Sequence, residues 1–181
     1  MTEINPHAAL TVAEDEKIIS LMLYTSNTMI WGEVIVKQAI RGSTWLRTNA
    51  APDKIVLNNA KLLPTTTTKM MQPTGYRELI VPVTSVGAYH LIPPATDPLD
   101  YDPTEPNRVM VPVVVLIGST KIIGKMRMTQ HSNLQRYLDV THESYSSVYD
   151  AEITNTLIPS LGTLKIPYLQ ARQEICIFGT M

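Results

Sequence analysis

The chain has 181 residues, with 15 lysines and arginines against 16 aspartates and glutamates, and a formal net charge of −1. This balance removes the global electrostatic reason to expect a nucleic-acid or acidic-membrane binder, although a local basic patch remains open. Apolar residues make up 44% of the chain, which predicts a buried core. A single cysteine, no basic leader and no apolar run of spanning length predict a cytoplasmic protein without disulfides or membrane spans.

Residues 1–15 are polar and acidic and are predicted to form an N-terminal arm. Apolar and polar residues then alternate over 18–24 and 29–36, around the polar turn 25–28, which predicts a β-hairpin. Gly32 lies inside the second strand, where a glycine indicates a strong bend or a bulge.

The rest of the first half is predicted from shorter signals. Ser43 is a candidate N-cap of a short helix. The run 54–57 predicts a strand that leads into a polar turn over 58–63, and 79–92 predicts one long strand interrupted by Pro82. Because a proline cannot donate a backbone hydrogen bond, that strand is expected at a sheet edge or in a bulge.

Residues 93–108 form the clearest boundary, since 93–107 alone hold five prolines and four acidic residues. This composition favours an extended, solvated linker. The predicted organisation is therefore a first β-barrel-like repeat over 16–92, the linker, and a second repeat over 109–181.

The two halves match when Gly32 is set against Gly124. In this alignment Trp45 corresponds to Tyr137. Leu134, Tyr137 and Leu138 have the i, i+3, i+4 spacing of an apolar helix face, and with Ser132 as a candidate N-cap they predict a short helix. Near the end of each half, Val81-Pro82-Val83 resembles Ile166-Pro167-Tyr168. The agreement predicts an internal duplication, each copy a strongly bent antiparallel sheet or small barrel of order β-β-helix-β-β.

The second copy resembles the Sm-like (LSm and Hfq-like) small β-barrel family. Val113–Leu116, Ile122-Ile123-Gly124 and Val148–Glu152 follow the order of that family's first motif, and Leu161–Ile166 its second. The resemblance implies tandem small barrels. It does not transfer the family's RNA-reading residues, because Gln38 and Gln130 stand where the family has an aspartate, and prolines replace its Arg-Gly.

We find no sequence motif for catalysis, cofactor binding or metal binding, and therefore predict that the protein is not an enzyme and has no cofactor or metal. Gly118 and Gly124-Lys125 have the wrong spacing for a phosphate loop. No nucleophile elbow is present, and the histidines (His7, His90, His131, His142) show no metal-binding interval. Cys176 stands between two isoleucines, which favours a buried structural thiol over a reactive one.

Two functional hypotheses remain. The first, which we favour, is a non-catalytic binding or scaffold module that acts through protein–protein contacts or self-association, as a subunit of a larger assembly. The second is an RNA- or single-stranded nucleic-acid-binding regulator, with Trp45 and Tyr137 as stacking platforms. Its candidate nucleobase contacts are Trp45, Tyr137, Arg41, Arg47 and Arg136. Core or lid packing of Trp45 and Tyr137 is the favoured alternative.

Overall fold

A computed structural model describes residues 10–69, 71–141 and 143–180. The described residues form ten strands: β1 Glu16–Tyr24, β2 Thr28–Lys37, β3 Lys54–Pro64, β4 Thr74–Pro82, β5 Ala88–Leu91, β6 Arg108–Ile117, β7 Thr120–Thr129, β8 Tyr145–Asn155, β9 Leu164–Arg172 and β10 Ile177–Thr180. One α-helix, α1 (Leu134–Val140), and 3-10 helices at Gly42–Arg47, Val83–Ser85 and Pro159–Leu161 complete them. The prediction of a mostly β protein is confirmed.

All ten strands belong to one antiparallel sheet with the order β10-β6-β7-β8-β9-β5-β1-β2-β3-β4. The sheet is open, because its end strands β10 and β4 each have a neighbour on one side only within the described residues. The sequence predicted either two small barrels or two strongly bent sheets. The strands of the structure form one open sheet and not two closed barrels. The backbone groups along the outer sides of β4 and β10 therefore face away from the sheet.

Each half of the sheet has the same internal order. In the first half β5 pairs with β1, and β1 is followed by β2, β3 and β4; in the second, β10 pairs with β6, followed by β7, β8 and β9. The register shifts at Gly32 in one half and at Gly124 in the other. A left-handed residue also lies midway in the third strand of each half, Asn59 in β3 and Asp150 in β8.

The halves are joined edge to edge where β5 pairs with β9, so that Ala88 lies opposite Ala171 and Tyr89 opposite Gln170. Two hydrophobic cores lie on either side of this junction. Alternation along the strands builds them: Leu21 and Leu23 of β1 face the first core, and Val113 and Val115 of β6 face the second. Both cores are thus positioned by the period-two pattern seen in the sequence.

Three details of the strand predictions are wrong. The residues after Leu57 continue β3 to Pro64 instead of turning, and the left-handed Asn59 accommodates the polar sequence there. The long strand over 79–92 is two strands, because the 3-10 helix Val83–Ser85 redirects the chain from β3 to β1. Pro82 pairs with Lys54 at the end of β4, whereas Pro167 lies inside β9, so the two prolines are not equivalent.

The helix caps also differ from the prediction. The side chain of Asn133, not Ser132, accepts the hydrogen bond from the backbone N–H of Arg136 at the start of α1. In the first half the counterpart is the 3-10 helix Gly42–Arg47, which follows Arg41 without a side-chain cap.

The predicted linker is exposed along much of its length, yet its side chains bind both halves. Asp97 Oδ2 accepts a hydrogen bond from the backbone N–H of Ser43 (2.9 Å), and Asp100 contacts Arg47 of the first half and Ser147 of the second. The acidic residues that suggested solvation are therefore hydrogen-bond acceptors. Of the predicted N-terminal arm, residues 1–9 lie outside the described residues.

Candidate functional site

The five candidate nucleobase contacts occupy different surroundings. Trp45 lies in the first core with only 7% of its surface exposed, and its Nε1 donates to the carbonyl of Ala50 (3.3 Å). Tyr137 packs at the border of the second core. Arg41 donates to the hydroxyl of Tyr168 (3.0 Å), whereas Arg136 is exposed on α1. Core packing, the favoured interpretation, is confirmed for Trp45.

Arg47 and Tyr137 are brought together at a polar cavity of about 280 Å³ where the first half, the linker and the second half meet. The other three candidates do not line it. Its lining residues are Arg47, Asp100, Tyr101, Arg108, Arg127, Tyr137, Thr141, Glu143, Ser147 and Tyr149.

Asp100 is the acceptor that three of the cavity's lining side chains share. The hydroxyls of Ser147 and Tyr149 each donate to its carboxylate at 2.6 Å, and Arg47 Nη1 donates at 2.8 Å. Partial burial opposes ionisation, but the two hydroxyl donors and the guanidinium charge outweigh it and lower the pKa of Asp100. Because Ser147 and Tyr149 are two residues apart on β8, they present both hydroxyls on one face.

A second arginine, Arg127, stacks on the ring of Tyr101 with 4.6 Å between its guanidinium carbon and the ring centroid. The same guanidinium donates to Glu105 (2.5 Å) and to the carbonyl of Asp102 (2.9 Å). Arg108 also donates to Glu105, at 2.9 Å. The carboxylate of Glu105 thus pairs with both of these arginines, as Asp100 and Glu143 pair with Arg47.

The chemistry of the cavity is that of a neutralised network, with hydroxyl, carboxylate and guanidinium groups already bound to one another. Sequence reasoning singled out Arg47 and Tyr137 but missed Asp100, Ser147 and Tyr149. No local signal identifies them, because Asp100 lies in a proline-rich segment and the other two have ordinary strand spacing. Gln170, fully buried behind Ser147, donates to the Ser147 hydroxyl (2.9 Å).

The outer edge of β4 is a second candidate surface. Ile80 is 58% exposed there, and Val56 of β3, directly opposite it, is also exposed. An open groove of about 570 Å³ borders the strand and is lined by both polar and apolar side chains, the apolar ones including Leu79, Val81 and Ile175. Exposed apolar residues beside unpaired backbone groups are typical of a contact surface.

The other end of the sheet has the same character. Ile177, the first residue of β10, is 68% exposed. Cys176, immediately before it, is buried, and its thiol donates to the carbonyl of Gly87 (3.1 Å). Burial raises the pKa of this thiol to about 12, so it carries no thiolate at neutral pH. The predicted buried structural thiol is confirmed.

Among the residues that the structure describes, no group of three or more histidine, cysteine, aspartate or glutamate side chains is placed to hold a metal ion. His7 and His142, two of the four histidines considered, lie outside the described residues. No described helix combines the length and the hydrophobicity needed to cross a membrane. Comparisons with protein-family models, curated proteins and solved structures found no match.

Proposed function

We propose that this chain is a non-catalytic binding or scaffold module of the cytoplasm, which acts through protein–protein contacts as a subunit of a larger assembly. The observation that carries the proposal is the pair of open sheet edges, β4 and β10, each bearing a strongly exposed isoleucine. An open edge recruits an extended segment through its backbone groups, and neighbouring apolar side chains add affinity. Monomeric proteins usually protect such edges.

We further propose that the chain is a tandem duplication of a strongly bent, Sm-like sheet, with the short helical segment inserted at the same place in each copy. Three features support this: the matching strand order of the halves, the register shifts at Gly32 and Gly124, and the left-handed Asn59 and Asp150. A repeated sheet that joins its own copy edge to edge is suited to join further chains in the same way.

Cross-linking in the cells that make this protein tests the proposal. A photoreactive benzoylphenylalanine is placed at Ile80 or at Ile177, and at Val140 as the control. Val140 is also strongly exposed, but it lies on α1, outside the sheet. We expect covalent protein adducts from the two edge positions and none from Val140. Absence of adducts from both edges would contradict the proposed function.

The second candidate function, an RNA- or single-stranded nucleic-acid-binding regulator, is favoured by one observation. Arg47, Arg127, Tyr101 and Tyr137 line one cavity, and arginine–aromatic combinations bind unstacked bases. The carboxylates that pair with these arginines reduce their attraction for phosphate groups and so weaken the case for nucleic-acid binding.

Retention of labelled single-stranded RNA at rising salt tests this second function. Backbone contacts make affinity fall steeply with salt, and Tyr137→Ala should reduce retention while Tyr76→Ala, a change at an exposed tyrosine of β4, should not. No retention at low salt would remove this candidate.

A further inference from the structure

We propose that the occupant of the open edges is a second copy of this chain, with β10 of one molecule adding antiparallel to β4 of the next. This inference rests on the proposed function and names the partner of the same edges. Its basis is the internal junction, where the last strand of one half already pairs with the fourth strand of the other.

The internal junction defines what such an edge contact buries. Tyr89 and Gln170 lie opposite each other there, and both are fully buried. The backbone N–H of Arg172 adds a hydrogen bond to the carbonyl of Gly87 (2.7 Å). Side chains of the first half reinforce the pairing, since the hydroxyl of Tyr168 on β9 donates to Ser43 (2.5 Å).

The equivalent positions on β4 follow from the shared left-handed residues. Two residues before Asn59, Leu57 pairs with Leu79; two residues before Asp150, Val148 pairs with Leu169. Leu79 therefore corresponds to Leu169, and by the same step along each strand Ile80 corresponds to Gln170 and Val81 to Ala171.

The equivalent positions on β10 follow from the glycines at the register shifts. Gly32 pairs with Leu21, and Gly124 pairs with Val113, so Tyr24 corresponds to Leu116 three residues later. Tyr24 pairs with Ala88, and Leu116 with Ile177. Ile177 therefore corresponds to Ala88, and Phe178 to Tyr89.

The register of the intermolecular junction is thus specified. Ile177 of one molecule lies opposite Val81 of the next, and Phe178 lies opposite Ile80. Ile80 and Ile177, strongly exposed in one molecule, occupy positions whose counterparts Gln170 and Ala88 are fully buried at the internal junction. The free ends of the sheet present the apolar side chains that this pairing would cover, which favours a second copy over an unrelated partner.

One difference makes the intermolecular junction weaker than the internal one. Pro82 stands where the internal junction has Arg172, since Lys54 and Tyr145 are their respective partners. Proline has no N–H, so the counterpart of the hydrogen bond from Arg172 to Gly87 cannot form. We therefore expect the contact between molecules to be weak enough that the assembly dissociates when the protein is diluted. Because the two edges differ, the contact is head to tail and adds successive molecules until a ring closes or a filament grows.

Sedimentation velocity with complementary edge variants tests the inference. Ile80→Lys blocks β4 and leaves β10 intact, whereas Ile177→Lys does the reverse. We expect wild type to form species larger than a dimer. Each variant alone should be monomeric, because burying an unpaired lysine weakens association about tenfold or more. An equimolar mixture of the two should form a one-to-one dimer through its remaining good pair of edges, and that dimer requires both variants to be folded.

Val140→Lys, which also replaces an exposed apolar side chain with a charged one but lies on α1, should assemble like wild type. A monomeric wild type at every concentration, a dimer formed by either variant alone, or a mixture that stays monomeric would overturn the inference. In the cellular cross-linking experiment, edge adducts that contain only other proteins would also overturn it while leaving the proposed function standing.

Discussion

His90 and Tyr24 form a buried pair next to the junction of the two halves. The ring nitrogens of His90 lie 2.7 Å from the carbonyl oxygen of Leu91 and 3.0 Å from the hydroxyl of Tyr24. Since a carbonyl can only accept, Nδ1 carries the proton and Nε2 accepts from Tyr24. Burial lowers the pKa of His90 to about 4, because the charged ring would be poorly solvated.

The pH dependence of stability follows from this lowered pKa. Below about pH 6.5 the unfolded chain protonates His90 whereas the folded chain does not until about pH 4, so the free energy of unfolding should fall across that window. We expect a loss of about 2 kcal/mol between pH 7 and pH 5, measured by urea denaturation. His90→Gln removes the titrating group and should flatten this fall. An unchanged slope in that variant would contradict the assignment.

Cys176 offers a second test at the level of one side chain. Its raised pKa and its burial predict that a thiol reagent at pH 8 leaves the folded protein unmodified and reacts fully after denaturation. The control is Val140→Cys, which introduces a second thiol at a strongly exposed position of α1 and should react at once. Rapid modification of native Cys176 would show that its surroundings open readily.

Among the elements, strands β2 and β7 each depend on the glycine at which their register shifts. A Cβ on Gly32 would lie 2.8 Å from the backbone oxygen of Asn58, and one on Gly124 would lie 2.8 Å from that of Tyr149. Both contacts are too short for any side chain, because the neighbouring strand passes over the glycine where the register shifts. The glycines thus permit the close strand approach at each register shift.

Gly32→Ala and Gly124→Ala should therefore each destabilise the protein by about 1–3 kcal/mol, since the neighbouring backbone must move. Denaturant unfolding measures the loss. The matched control is Gly75→Ala on β4, where a Cβ would contact nothing within 4 Å. Equal effects at Gly124 and Gly75 would contradict a steric role for the glycine at the register shift.

Local patterns explain which elements could be predicted from sequence. The alternation in β1, β2, β6 and β7 depends on neighbouring residues alone, and these hairpins were predicted within a few residues. Residues 79–92 divide into β4 and β5 because β4 pairs with β3 and β5 pairs with β1. Local sequence patterns do not show which strands pair with each other. Pro82 indicated that the strand is interrupted, but not that the chain then pairs with β1 instead of β3.

At the scale of the whole molecule, the alignment of Gly32 with Gly124 predicted two halves, but it gave no indication that β5 would pair with β9. The β5–β9 pairing and the Asp100 network unite residues tens of positions apart, and each depends on tertiary packing. The same reasoning explains why Arg47 and Tyr137 could be named as candidates by residue type, whereas the carboxylates that neutralise Arg47 required the structure.

The proposed register between β10 of one molecule and β4 of the next can be tested with disulfide bonds. With Ile80→Cys and Phe178→Cys in one chain, oxidation should link molecules into a disulfide ladder, because opposite residues of antiparallel strands lie about 5 Å apart, within disulfide reach. The shifted pair Glu78→Cys and Phe178→Cys should link poorly, since two residues along the strand extend the separation to about 8 Å. Non-reducing electrophoresis measures both. Since β4 and β10 do not pair within one molecule, a ladder requires contact between copies, and equal ladders from the two pairs would refute the register.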